Sequence, residues 1–206
     1  MKFYTALRSK AILNKLKILL VAIILTVLTL NFISDEQRDI NLELVNAIKE
    51  CDIAAAQPLL EEGADPNIYI DGHGSAMAHS PFCLSTEPLE LLLAYGGDPN
   101  IQLMNLGKRL IFRVISPGKL ASLKLLVKSG AEINVTTETG LTPLMQSLML
   151  GQFDMAIYLI DSGSHLTAKD NFGTTALGIY SGGTIKSPPQ KGSLEYEVGL
   201  KLGHVF

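Results

Sequence analysis

A short glycine-led segment recurs along this chain at a nearly constant interval. It reads GADPN at Gly63, GGDPN at Gly96, GAEIN at Gly130 and GSHLT at Gly163, with spacings of 33, 34 and 33 residues. A period of this size indicates supersecondary units whose apolar side is too large to expose and too small to fold alone. The 47% apolar content supplies the core that stacking such units requires. The repeat therefore predicts a stacked solenoid.

The clearest unit runs over residues 139–173 and predicts two helices. Thr142 is placed to cap the first helix, with Pro143 at its first position, where the missing N–H is not needed. Gly151 is predicted to end this helix, and Gly163 to close the second one in a left-handed conformation. The polar segment that follows returns the chain to the next unit through turn-forming residues.

These segments resemble the ankyrin repeat in both of its recognisable parts. GLTPL at 140–144 and GTTAL at 173–177 match that family's helix-opening motif, and GADPN and GAEIN match its helix-ending motif. The resemblance covers about residues 37–206 and implies an all-α solenoid of helix-turn-helix units joined by loops or hairpins. The units are expected at about 39–71, 72–105, 106–138, 139–171 and 172–206.

Two units depart from this pattern. In the first, Pro58 lies inside the expected second helix, where it removes a hydrogen bond and should kink or shorten the helix. In the last, Gly163 and Gly203 are 40 residues apart, and SGGTIKSPPQKG stands between the two helices. We expect the segment that follows this loop to form the second helix of a terminal cap.

The N-terminus predicts a membrane anchor ahead of the repeats. Residues 1–17 carry five basic residues and no acid, and residues 18–34 carry no charge. As a hydrophobic helix, 18–34 would span about 25 Å, against about 30 Å for a bilayer core. The charge bias predicts a single-pass protein of the bacterial inner membrane, its N-terminus cytoplasmic and its repeats periplasmic. A cleaved signal peptide and a buried soluble helix remain alternatives, although the segment's far end lacks an A-x-A-like site.

Cys51 and Cys83 are the only cysteines, which excludes a disulfide scaffold. In the repeat register they lie on neighbouring helices, which pack about 8–10 Å apart. A disulfide needs Cα atoms about 4.4–6.8 Å apart. A bridge is therefore expected only if the second unit is distorted, and the sequence leaves this open.

No motif in the chain indicates catalysis or a cofactor. A Ser-His-Asp arrangement, a phosphate-binding glycine loop and a G-x-S-x-G segment are all missing. Asp71, His73, His79 and Cys83 are metal-ligand types, but their spacing fits no established zinc pattern, and a turn explains the first two. We predict that the protein is not an enzyme and binds no metal, with a metal-dependent role around His73, His79 and Cys83 as a less favoured alternative.

Charge argues against nucleic acid as a partner. Beyond the basic N-terminus the chain holds 12 basic and 20 acidic residues, a net charge of −8, which repels phosphate. Lys108, Arg109 and Arg113 form a small basic island, interpreted as a solvated helix edge.

The resemblance instead implies recognition of another protein through loop tips and first helices. Met104 and Phe172 are favoured, because an apolar side chain on an exposed turn lowers solubility unless it serves contact. The predicted contact residues are Asp71, Gly72, His73, Met104, Asn105, Thr137, Glu138, Met145, Gln146, Asn171 and Phe172. The predicted function is stoichiometric binding in the cell envelope, such as neutralising an effector or assisting an envelope enzyme. The alternative is a structural tether or spacer without a dedicated ligand.

Overall fold

The structure is a computed structural model that describes residues 2–103, 108–184 and 189–204, with side chains described for 18–29, 37–103, 109–182 and 189–204. The described helices form five successive pairs, which confirms the predicted all-α solenoid. They are α1 Lys2–Lys49, α2 Ile53–Glu61, α3 Ala76–His79, α4 Glu87–Ala94, α5 Leu110–Val114, α6 Leu120–Lys128, α7 Pro143–Met149, α8 Phe153–Asp161, α9 Ala176–Ile179 and α10 Leu194–Leu202. A short antiparallel hairpin, β1 Gln102–Leu103 with β2 Lys108–Arg109, precedes α5.

Side-chain caps start the first helix of most units. The Thr142 hydroxyl accepts a hydrogen bond from the Met145 N–H, with Pro143 in the first turn, as predicted. Ser75 and Thr175 cap α3 and α9 in the same way. Because each cap satisfies a helix N–H that has no partner within the helix, these residues set where the unit begins.

The recurring glycines close the second helices. Gly63, Gly96, Gly130 and Gly163 have φ between 87° and 99°, a left-handed conformation that favours glycine. This confirms the left-handed conformation predicted for Gly163 and shows that the other three glycines share it. Gly151, with φ of 65°, follows the end of α7 at Met149.

The asparagine that ends each glycine-led segment clamps one unit to the next. The Asn100 side chain donates to the Gly130 carbonyl at 3.0 Å and accepts from the Glu132 N–H at 2.8 Å. Asn67 and Asn134 make the equivalent pairs of bonds to the units that follow them. Each of these asparagines therefore joins its own unit to the next one, a role that the sequence pattern did not reveal.

Asn100→Ala is expected to lower the free energy of unfolding by about 1–3 kcal/mol, since it leaves the Gly130 carbonyl and the Glu132 N–H without their partner. Asn46→Ala is the matched control, because Asn46 lies exposed on α1 and its loss should change stability by less than about 0.5 kcal/mol. Urea unfolding of both variants tests this. Equal midpoints for the two variants would show that the clamp adds no stability.

Pro58 does not shorten its helix, so that part of the prediction was wrong. Helix α2 has nine residues, the same length as α6, α8 and α10. Proline has no N–H to donate to the Ala54 carbonyl. Because Pro58 and Ala54 are both exposed, water can bind that carbonyl instead.

The terminal unit has the predicted displaced second helix. Ser193 caps α10 by accepting from the Tyr196 N–H, and Gly203 ends it with φ of 81°. Residues 185–188 of the intervening loop lie outside the described residues. The C-terminal cluster of the core, which includes Leu144, Tyr180 and Val198, joins this helix to the fourth unit.

The N-terminal region does not form a separate hydrophobic helix, because α1 runs without a break from Lys2 into the first unit. Its last part belongs to the solenoid core, where Leu44, Val45 and Ile48 are buried. In the part of the chain that the structure describes, no helix has both the length and the apolar character needed to cross a membrane. The transmembrane segment predicted at 18–34 is therefore not supported, and the side chains of 1–17 and 30–34 lie outside those described.

Candidate protein-binding surface

The first predicted loop tip is an exposed, ordered turn. Asp71, Gly72 and His73 are exposed, as expected of contact residues. The turn is closed by paired backbone bonds between Ile70 and Gly74, each 2.8 Å long. It is held against α3 because the His79 Nε2 atom lies 2.7 Å from the His73 carbonyl.

Part of the third predicted tip is placed differently from the prediction, and the second tip is not among the described residues. Met104 and Asn105 lie outside the described residues and stay predictions. Thr137 is only 8% exposed, and its hydroxyl accepts from the Leu141 N–H at 3.2 Å. Thr137 therefore shapes the turn rather than facing a partner, while Glu138 beside it is exposed.

The two predicted contact residues on α7 make contacts within the solenoid. Met145 is 1% exposed and belongs to the C-terminal core cluster, so its assignment as a contact residue was wrong. Gln146 is half-buried, and its Nε2 donates to the Phe112 carbonyl at 2.8 Å. It joins α7 to α5, a structural bond that the sequence did not reveal.

Phe172, one of the predicted contact residues, is 84% exposed. Its turn is fixed to the preceding one, because Asn171 donates from its backbone N–H to Thr139 at 3.0 Å and from its side chain to Glu138 at 2.9 Å. The Phe172 N–H donates to the Asp170 carboxylate at 2.9 Å. A large apolar ring is thus presented to solvent on an ordered turn.

An apolar groove continues from Phe172. It has a volume of about 520 Å³ and is lined in part by Leu141, Met149 and Ile179. Met149 is 58% exposed. Sequence reasoning missed Met149, although its place at the end of the first helix of its unit was a usable signal.

A second concavity of about 370 Å³ lies between the second and third units. Gly72, His73, His79 and Arg113 are among its lining residues. Burial lowers the pKa of His79, opposed by its bond to the His73 backbone and reinforced by the charges of Lys49 and Arg113. The structure thus brings two predicted tip residues together with an arginine that was interpreted as a solvated edge.

The predicted basic island is not one patch. Arg109 donates to the Asn100 carbonyl at 3.2 Å and lies 3.8 Å from the Glu132 carboxylate. Arg113 stacks on Phe82 instead, with its guanidinium carbon 4.4 Å from the ring centroid. The Lys108 side chain lies outside those described.

Cys51 and Cys83 form a disulfide, with Cα atoms 5.7 Å apart. The distortion that the sequence required for such a bridge is present, since α3 has only four residues and is followed by a 3₁₀ turn, Ser80–Phe82. The bond consumes the Cys83 sulfur, which contradicts the alternative metal site on His73, His79 and Cys83. Nor does any group of three or more His, Cys, Asp or Glu residues able to hold a metal occur within the described ranges.

Comparison with known proteins identifies the family. The family model described as "Ankyrin repeats (3 copies)" matches residues 76–170. Cyclin-dependent kinase 4 inhibitor B of Rattus norvegicus is 30% identical over 116 residues, which are 56% of this chain and 88% of the relative. The chain belongs to the ankyrin-repeat family. The protein of the same name from Bos taurus is 30% identical over 117 residues, covering 57% of this chain and 88% of the relative.

Membership of this family confirms the resemblance. Together with the names of the relatives, it identifies this ankyrin-repeat protein as a protein–protein interaction module. Both relatives are named as inhibitors of a kinase, which means that they act on another protein. A protein is therefore the class of partner that fits the exposed turns and grooves described above.

Proposed function

We propose that this ankyrin-repeat protein acts by stoichiometric binding of one protein partner, without catalysis of its own. The observation that carries the proposal is Phe172, an exposed ring on a turn fixed by two bonds from Asn171. Ordering a flexible contact side chain costs about 0.5–1.5 kcal/mol on binding. The turn that carries the Phe172 ring is already ordered, so its backbone adds no further ordering cost, and the ring fits the role of a hydrophobic anchor.

The names of the relatives support an enzyme as the class of target. Those proteins are named as inhibitors of a cyclin-dependent kinase. Transferred to this chain, the proposed mode of action is to occupy a surface of an enzyme or effector and so neutralise or assist it. The apolar groove with Phe172, Leu141 and Met149 is the proposed main contact surface.

We also propose that the repeats lie outside the cytoplasm of a bacterial cell, in the envelope. The charge bias between the basic residues 1–17 and the uncharged residues 18–34 supports this location. The disulfide between Cys51 and Cys83 supports it independently, because disulfides persist in oxidising compartments and are rare in reducing ones. Alkylation of free thiols in intact cells should leave both cysteines unlabelled, and full labelling of both would contradict the proposed location.

Phe172→Asp is expected to abolish partner capture. In-cell crosslinking followed by affinity purification and mass spectrometry compares the wild-type chain with this variant. The expected result is one protein that is enriched with the wild type and falls at least about tenfold in the variant, because a buried aromatic anchor is worth at least about 2 kcal/mol.

His165→Asp is the matched control for that experiment. His165 is an exposed loop residue that stands where Asp65 and Asp98 stand in other units, so this change should leave capture intact. If both variants retain every enriched protein, the binding surface is wrong. The structural tether, which predicts that altered loop tips leave function unchanged, would then be the better account.

A further inference from the structure

The concavity between the second and third units is lined by a positive charge, that of Arg113, which no acidic residue in the described part of the chain neutralises. Arg113 lines it, and among the described residues its guanidinium forms no ion pair and its buried Nε has no hydrogen-bond partner. Burial lowers the pKa of this group. The Nε atom is enclosed by protein, so an arriving anion would bind through the part of the guanidinium that lines the cavity.

The surroundings of Arg113 add positive potential. No acidic residue is found among the described residues that line the cavity. Asp71, the acid in the neighbouring turn, does not line it. Lys49 and Arg113 both act on His79 as positive charges.

The cavity is also shaped before a ligand arrives. The Phe82 ring holds the guanidinium from one side at 4.4 Å. The turn that contains Gly72 and His73 closes another side of the cavity. It packs so tightly against α3 that a Cβ atom on Gly74 would lie 2.8 Å from the His79 Nε2 atom. An arginine held in this way loses less rotamer entropy when it binds a planar anion.

We propose that this cavity binds the carboxylate of one glutamate or aspartate side chain of the partner protein, with Arg113 as its anchor. The inference rests on the proposed function, for which it names a second contact. A guanidinium binds a carboxylate through two parallel hydrogen bonds. One cation matches one carboxylate, whereas a phosphate dianion carries a second negative charge that this cation does not balance and that the net charge of −8 of the chain beyond residue 17 repels.

The size of the cavity agrees with a single side chain and its flanking backbone. Its volume of about 370 Å³ is near the lower end of the range of about 300–1,000 Å³ for ligand sites. Together with Phe172 at the start of the fifth unit, it gives the partner a basic contact and an apolar contact on different units. Two such contacts provide orientation as well as affinity.

The test is a titration of the full chain with the peptide acetyl-Gly-Glu-Gly-amide. Binding is monitored through the NMR signals of the Arg113 Nε–H and the His79 ring. The Glu peptide is expected to shift both signals with a millimolar dissociation constant, and the isosteric acetyl-Gly-Gln-Gly-amide is expected not to. Arg113→Gln should weaken binding about tenfold to hundredfold, the range for a hydrogen bond to a charged group. Arg109→Gln is the matched control and should bind like the wild type, because Arg109 does not line the cavity.

Gln102→Glu keeps the inference testable if Arg113→Gln does not fold. Gln102 is exposed and lines the same cavity, so its carboxylate should compete for Arg113 and abolish the shift caused by the Glu peptide. Equal shifts with the Glu and Gln peptides would overturn the inference. So would shifts with inorganic phosphate but not with the Glu peptide, which would indicate a site for a small anion.

The crosslinking experiment separates this inference from the proposed function. If Phe172→Asp loses the partner while Arg113→Gln retains it in full, the carboxylate contact is wrong and the interaction module stands. If both variants lose the partner and the Glu peptide binds only where Arg113 is present, both are supported. Because the peptide titration requires no partner, its result does not depend on capture.

Discussion

Replacing both Cys51 and Cys83 by serine is expected to lower the free energy of unfolding by about 3–4 kcal/mol. The disulfide closes a loop with a sequence separation of 32 residues, and opening it restores the conformational entropy of the unfolded chain. The bond also fixes the turn after α1, where Cys51 has φ of 57°, to the segment between α3 and α4 of the second unit. Urea unfolding of the oxidised wild type and the double variant measures the difference.

Reduction supplies the control for that experiment. Wild-type protein in excess dithiothreitol should unfold at the midpoint of the double variant, whereas the variant should not respond to the reductant. Cys51→Ser alone should match the double variant, since loss of either sulfur opens the bridge. A wild-type midpoint unchanged by reductant would mean that the disulfide contributes nothing to stability.

Tyr180→Ala is expected to cost about 3–5 kcal/mol, the range for removing a large buried aromatic side chain. Tyr180 is fully buried in the π-helical turn 180–184, and its hydroxyl donates to the Glu195 carbonyl at 2.8 Å. Its ring meets His204 edge-on, with centroids 5.4 Å apart. Because these contacts hold the terminal helix across the long loop, the loss should also release α10.

Tyr180→Phe separates the ring from the hydroxyl. It keeps the packing and removes one hydrogen bond, so it should cost about 1 kcal/mol. Hydrogen exchange of the α10 amides should rise strongly in Tyr180→Ala and only slightly in Tyr180→Phe. Equal protection of α10 in Tyr180→Ala and wild type would show that other contacts, such as the Lys201–Asp161 pair at 2.6 Å, hold this helix.

Local chemistry explains why the predictions of helix starts and ends were correct. Thr142 caps α7 through a bond to a residue three positions away, and Gly163 takes a left-handed φ because of its own backbone. Such interactions depend on a few neighbouring residues and are therefore visible in the sequence. The period then follows, since each unit repeats the same local signals.

Predictions that depended on the position of a side chain in the stack were less successful. Met145 was placed on a binding face by its register, but it is buried against the next unit. Gln146 reaches the Phe112 carbonyl, 34 residues away in sequence. No local sequence pattern predicts which residue of a neighbouring unit such a side chain contacts.

By itself, the sequence determined the all-α repeat architecture, the helix caps, the positive-φ glycines and the exposure of Phe172 on a turn. Tertiary structure alone decided that Cys51 reaches Cys83, that Asn100 clamps the following unit and that Arg113 lines a cavity in which no described residue supplies a counter-ion. The physical reason is distance along the chain. Caps and turns involve residues within one helical turn, whereas these contacts join residues roughly one repeat apart and exist only when the units are stacked.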